Sequence, residues 1–231
     1  METTDGTLLG GRVAYRQPAI GYRTGIEPVL LAAHCPARPG DRVIEAGCGA
    51  GAGLLCLLAR VPGILAEGIE ADPAMANLAR HNTGATIHHA DVAAFVAAGP
   101  YDHAIANPPW HDLAGTPSTV PSRVLAKRAD GSLLDRWAGA LGRLLRPRGT
   151  LAIVVPAGQF TRAAAALRGA GLGTIGLTPL WPRAGQPARI VLLRGTRGAR
   201  GADAVLAGLI LHDGTGYSAA AEAILRDGGA L

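Results

Sequence analysis

From Asp41 onward, short apolar runs alternate with segments of helical spacing, and this alternation limits the available folds more than any other feature of the chain. Arg42–Ala46, Ile64–Ile69, Thr86–His89, His103–Ala106 and Thr150–Val155 read as strands. Between and after them Ala52–Arg60, Pro73–His81, Val92–Ala98, Leu133–Leu145 and Arg162–Gly169 read as helices. Strands that return through helices run parallel, so the series predicts an α/β, doubly wound, mostly parallel sheet. Two further strands, Thr174–Leu180 and Arg189–Leu193, have only Pro182 to Pro187 between them. They predict an antiparallel hairpin at one edge and bring the sheet to seven strands.

The chain has 231 residues, enough for one large domain with small appendages. Residues 1–40 form a lead-in: a Gly10-Gly11 turn, a strand over Arg12–Gln17, a loop over Gly21–Gly25, and a helix from Pro28 to about Cys35. Residues 41–195 form the core. Residues 196–231 form a C-terminal extension, with a Gly/Arg-rich mobile stretch at 196–203, a strand within Val205–Leu211 and a helix over Ala219–Leu225. Hydrophobic residues make up 48% and charged residues 17%, which excludes a disordered chain. The three cysteines, Cys35, Cys48 and Cys56, are odd in number and fit no zinc spacing, so no metal is expected. They point to a reduced, cytoplasmic protein. No apolar run reaches about 18 residues, and Met1 to Gly6 lacks the pattern of a secretory signal, so no membrane association is expected.

The first core strand leads into Glu45-Ala46-Gly47-Cys48-Gly49-Ala50-Gly51. Glycines here let the backbone turn sharply and approach a ligand. The following helix offers its N-terminal amides. The string fits a dinucleotide-binding turn, Gly47-x-Gly49-x-x-Ala52, and equally the turn that holds S-adenosylmethionine, with Glu45 leading. Glu70 ends the second strand beside Ala71, where a carboxylate accepts ribose hydroxyls of either cofactor. Asp91, followed by Val92, ends the third; it can accept from an adenine amine, cap the next helix, or do both.

The fourth strand ends in Asn107-Pro108-Pro109-Trp110. Two prolines remove two amide donors and stiffen the loop. The Asn107 side chain and the Pro108 carbonyl then supply two acceptors for one planar NH2 group, and Trp110 supplies a plate for a flat substrate. This constellation resembles the class I S-adenosylmethionine-dependent amino methyltransferases, with their Asn/Asp-Pro-Pro-aromatic motif. The lead-in Gly21-Tyr22-Arg23-Thr24-Gly25-Ile26-Glu27-Pro28, the stretch from Thr4 to Gln17, and the tail from His212-Asp213-Gly214 through Tyr217 to Leu225 are similar to bacterial tRNA(Val) adenine-N6 methyltransferases. The resemblance implies a Rossmann-like fold and S-adenosylmethionine as cofactor. It implies methyl transfer to adenine N6 beside the anticodon, catalysed by Asn107, Pro108, Pro109 and Trp110. It places Thr24, Gly25, Glu45, Gly47, Gly49, Gly51, Glu70, Ala71, Asp91, Val92 and Asn107 around the cofactor. Glu27 stands where that family often has Asp, and Trp110 where it often has Tyr or Phe.

Net charge is +5 and the pI about 9.6, carried almost wholly by arginine, with Lys127 the single lysine. This suits a polyanionic partner such as nucleic acid, and it suits equally the Arg-, Ala- and Gly-rich usage of a GC-rich genome. Candidate phosphate contacts are Arg12, Arg16, Arg23, Arg183, Arg189, Arg194, Arg197 and Arg200. The other acceptors weighed are a protein glutamine amide, since the same motif serves amides, and guanine N2 of rRNA. Against the first, only about 40 residues precede the core. A DNA adenine acceptor lacks a target-recognition domain. A cofactor- and RNA-binding module without catalysis, and a nicotinamide oxidoreductase, complete the alternatives.

Overall fold

The computed structural model describes residues 1–20, 23–109 and 132–231. Strands β3 (Arg42–Ala46), β4 (Leu65–Glu70), β5 (Thr86–His89), β6 (Tyr101–Ala106), β7 (Leu145–Pro156), β8 (Leu172–Trp181) and β9 (Ile190–Arg197) form the sheet. Their order is β8-β9-β7-β6-β3-β4-β5. All neighbours from β7 to β5 are parallel, whereas β9 runs antiparallel to both β7 and β8. The edge hairpin therefore stands as expected. Two short strands, β10 (Ala204–Val205) and β11 (Leu209–Ile210), add to the outer side of β8 and bring the sheet to nine strands rather than seven.

The sheet is apolar on both faces because helices cover both. Helices α1 (Glu27–His34), α2 (Ala52–Arg60) and α3 (Pro73–Thr83) lie on one face. Helices α4 (Leu133–Leu144) and α5 (Phe160–Gly169) lie on the other. Strand order runs outward from β3 to β5 in one direction and from β6 to β7 in the other. The reversal between β3 and β6 is the topological switch point, where ligands bind in such sheets.

Three local readings are corrected. Residues 92–98 form turns, not a helix. Asp91 caps the turn through Ala93 N (2.7 Å), Val92 is buried and Phe95 packs on His88. Seven residues before Gly99-Pro100 are too few to sustain a helix without a stronger apolar face. The lead-in strand, β2 (Val13–Pro18), pairs with a strand the sequence hides, β1 (Thr3–Leu8). Residues 198–203 are tied down by Gly198 N to Gly171 O (3.0 Å) and by Asp203, which accepts from Ile175 N (2.9 Å) and pairs with Arg168. The extension continues through a small hairpin of β12 (His212–Asp213) and β13 (Gly216–Tyr217) to α6 (Ala219–Leu225), which packs on α1.

His34 ends α1 with 2% exposure, and neither ring nitrogen has a partner among the described residues. Burial, reinforced by nearby Arg194, lowers its pKa to about 3. The unfolded chain takes up a proton near pH 6.5 that the folded chain refuses, so this residue costs stability as pH falls from 6.5 toward 3. Denaturation followed between pH 7 and 4 is expected to show a shallower loss in His34→Leu than in the parent.

Candidate active site

The parallel register aligns the strand ends at the switch point. Ala46 pairs with Ala106 on one side and with Ile69 on the other. Asn107, Gly47 and Glu70 are therefore the next residues in one row across three neighbouring strands, spaced at roughly 4.8 Å per strand. The register pairs Glu70 with His89, and Ala90 N donates to Glu70 O (3.1 Å), so Asp91 follows just beyond the row.

Gly47, Gly49 and Gly51 have φ of 63°, 56° and 87°, the left-handed region that side chains resist. A Cβ on Gly47 would stand 2.6 Å from the Trp137 ring, and one on Gly51 2.7 Å from Thr83. The turn is closed by Gly51 N to Cys48 O (2.8 Å) and anchored to β4 by Cys48 N to Ile69 O (3.1 Å). Glu70 holds it from the side: one carboxylate oxygen accepts from Gly49 N (2.9 Å), the other from Asp72 N (2.8 Å). Asp72 in turn caps α3 through Ala74 N and Met75 N.

Glu45 does not join this row. It is 3% exposed and turned beneath the turn, where it accepts from Leu54 N (2.9 Å) in α2. Gly53 leaves the space its carboxylate occupies. Burial raises its pKa to about 8, with the Glu70 charge adding to the shift. The folded chain keeps a proton that the unfolded chain releases above about 4.5, so stability falls as pH rises from 4.5 to 8. Glu45→Gln is expected to remove that fall, measured as the pH dependence of the denaturation midpoint.

The lead-in reaches the turn from the α3 side. Asn82 donates to Arg16 O (2.7 Å) and Ala50 O (2.8 Å) and accepts from Arg16 N (3.1 Å). Tyr15 packs with Ala50, Ala52, Leu55 and Leu78, and its hydroxyl meets the Thr24 hydroxyl at 2.7 Å. Thr24 N donates to Gln17 (3.2 Å). Thr24 is thus linked through Tyr15 to the glycine turn, with Gly25 next to it in the chain. Ala71 is exposed, and its carbonyl meets the His89 ring at 3.1 Å. At the end of β6, Pro108 is buried while Asn107 and Pro109 are half-buried. Trp110 lies outside the described residues. Sequence reasoning missed Trp137 and Asn82. Trp137 sits on the apolar side of α4 and reads as core; Asn82 carries no local signal, because its partners are 66 and 32 residues away.

The arginines separate by sheet end. Arg189 and Arg183 follow the same end as Asn107, whereas Arg197 and Arg200 lie at the opposite end. Arg197 donates to Leu145 O, and Arg194 to His34 O (2.9 Å), so both brace the fold rather than await a ligand. Arg12 donates to Asp227 O (2.5 Å), and Arg16 pairs with Asp5 (2.7 Å). Burial raises all three thiols, Cys35 to about 11 and Cys56 to about 12, so none is a nucleophile at neutral pH. Among the described residues no three His, Cys, Asp or Glu side chains converge as a metal site, and no helix is long and apolar enough to cross a membrane.

A family model for the methyltransferase small domain matches residues 28–169. The chain belongs to that family. Within it, the chain is 32% identical over 183 residues to a tRNA1(Val) (adenine(37)-N6)-methyltransferase of Aeromonas hydrophila, covering 76% of this chain and 77% of the relative. It is 36% identical over 150 residues to a release factor glutamine methyltransferase of Rhodospirillum rubrum, covering 58% of this chain but 45% of that one. Among solved structures, a predicted O-methyltransferase from Agrobacterium tumefaciens superposes with a TM-score of 0.73 at 21% identity, over 88% of this chain and 97% of that one. This methyltransferase small domain has the class I fold, and the chain is an S-adenosylmethionine-dependent methyltransferase related to the tRNA1(Val) adenine-N6 enzymes.

Proposed function

We propose that the chain transfers a methyl group to an exocyclic amine, adenine N6 of a tRNA, at the anticodon-adjacent position of tRNA(Val). The observation that carries this reading is the row at the switch point, in which Asn107-Pro108-Pro109 stands one strand from the glycine turn. Identity to the Aeromonas enzyme over three quarters of both chains supports the tRNA acceptor.

The chain's own residues fit the cofactor. The left-handed turn carries no side chains at its glycines, Gly49 has nothing nearer than Met75 at 3.7 Å, and Glu70 is fixed beside it with lone pairs left for ribose hydroxyls. Gly47, Gly49, Gly51, Glu70 and Ala71 hold the nucleoside, Asp91 and Val92 its base, and Thr24 and Gly25 its amino-acid end. Residues 1–40 act as a cover over this half of the site. S-adenosylmethionine supplies an already activated methyl group, so the protein has to align and polarise rather than activate. The Asn107 side-chain carbonyl and the Pro108 carbonyl each accept an N–H of the acceptor amine. Both bonds strengthen as positive charge grows on that nitrogen, which is the transition-state stabilisation expected of fixed dipoles. Pro109 stands beside the place where the flat base rests after it leaves its stack, and Trp110, outside the described residues, is the residue proposed to stack on it.

The test is methyl transfer from labelled S-adenosylmethionine to separate pools of tRNA, rRNA and release-factor protein. N6-methyladenosine in tRNA is the expected product. Label confined to protein amides or to guanine in rRNA would retain the chemistry and replace the acceptor.

A further inference from the structure

The site's two halves carry opposite charge. Over β3, β4 and β5 the strand ends present carboxylates, Glu70, Asp72 and Asp91. Beyond Asn107 the chain changes character: between Arg136 and Ala202 it holds eleven arginines and neither an acidic residue nor a lysine. Since the whole chain is only +5, the remainder is net negative.

Sheet polarity sorts these arginines. β9 runs antiparallel to β7 with Ile190 opposite Pro156, and Ala157 N donates to Arg189 O (2.8 Å). Arg189 therefore stands at the end of the sheet where Asn107 emerges. Arg183, in the β8–β9 connection, and Arg162, in the first turn of α5, are exposed at the same end. Phe160, which opens α5 at that same end, is 45% exposed. The Arg183 guanidinium donates to Gly214 O (2.6 Å) through one nitrogen and keeps its other donors. Arg143, Arg148 and Arg200 are exposed at the opposite end, beyond the length of β9, at about 23 Å. That exceeds the screening length of roughly 8 Å at physiological salt.

We infer that Arg162, Arg183 and Arg189, with Phe160 as a stacking plate, form the surface on which the phosphate backbone of the RNA substrate lies as its base enters beside Asn107. This rests on the RNA-acceptor reading above and adds where the RNA is held. Guanidinium groups bind phosphate, and an exposed aromatic ring takes a base face regardless of sequence. A polyanion approaching the acid half would be repelled, so it reaches Asn107 across β7, β9 and β8.

The test compares Arg162→Gln/Arg183→Gln/Arg189→Gln with Arg143→Gln/Arg148→Gln/Arg200→Gln in methylation of total tRNA. The first variant is expected to raise KM about tenfold or more at 0.15 M salt. It should also flatten the slope of log kcat/KM against log salt by about 2, with kcat and cofactor affinity kept. The second is expected to stay within about twofold, since its charges lie beyond the screening length. Arg162→Gln/Arg189→Gln, which spares the Arg183 contact, gives an intermediate change if the triple variant folds poorly. An unchanged KM and slope in both Arg162-containing variants, with tRNA still methylated, would overturn the surface and leave the acceptor reading intact. Label in protein but not RNA from the parent enzyme would overturn both.

Discussion

Asn107→Ala is expected to reduce turnover about a thousandfold while cofactor affinity changes far less. The loss is catalytic because the removed acceptor matters most when the amine nitrogen becomes positive. The lone pair of an aryl amine is delocalised into its ring. Two acceptors on its N–H bonds favour the pyramidal geometry in which that pair can attack. With the methyl side chain only the Pro108 carbonyl remains, on a buried residue that the second proline holds in place. Asn107→Asp keeps an oxygen acceptor and should retain more activity than the alanine variant. Single-turnover rates with saturating cofactor, alongside a direct cofactor titration, separate the two effects. An alanine variant within tenfold of the parent would remove Asn107 from the chemistry.

Gly53→Ala is expected to destabilise the protein by about 3 kcal/mol, the upper range for overpacking in a well-filled core. On helix propensity alone the same change would stabilise by up to about 1 kcal/mol. The contact reverses the sign. A Cβ at Gly53 would stand 2.3 Å from one Glu45 carboxylate oxygen and 2.8 Å from the carboxyl carbon. Glu45 is buried, is committed to Leu54 N, and has no solvent to retreat to. Either the acid abandons its hydrogen bond or α2 moves away from β3, carrying the glycine turn with it. Thermal melting should show a drop of several degrees. Glu45→Asp in the Gly53→Ala background shortens the acid and should recover part of it. Equal melting temperatures for parent and Gly53→Ala would show that the helix shifts at no cost.

The strands most legible in the sequence were those buried on both faces. Leu151–Val155 of β7 and Ala104–Ala106 at the end of β6 are continuous apolar runs with residues in both core clusters, which only a two-sided core demands, and the end of β6 marks the switch point. The glycine turn was legible because its φ values require residues without a side chain. Elements at the margins were less so. β1 reads Thr-Thr-Asp-Gly-Thr-Leu and is mostly exposed; it exists through pairing with β2, which no local pattern announces. β10 and β11 are two residues each and persist by adding to β8. Its place in the motif points Glu45 toward the cofactor. Alternation along β3 turns it to the α2 side instead, and Gly53 receives it there.

The Asn82 clamp joins the first strand pair to residues that the ribosome adds much later. Arg16 leaves the exit tunnel 66 residues before its partner. At about 5–20 residues per second, the lead-in waits roughly 3–13 seconds with its docking partner unsynthesised. Tyr15 waits for Ala50 through the first half of that interval and for Leu78 through nearly all of it. The β1–β2 hairpin is therefore made well before α3 and secured only after it. The side of the glycine turn against which Tyr15 packs is closed only once α3 has emerged.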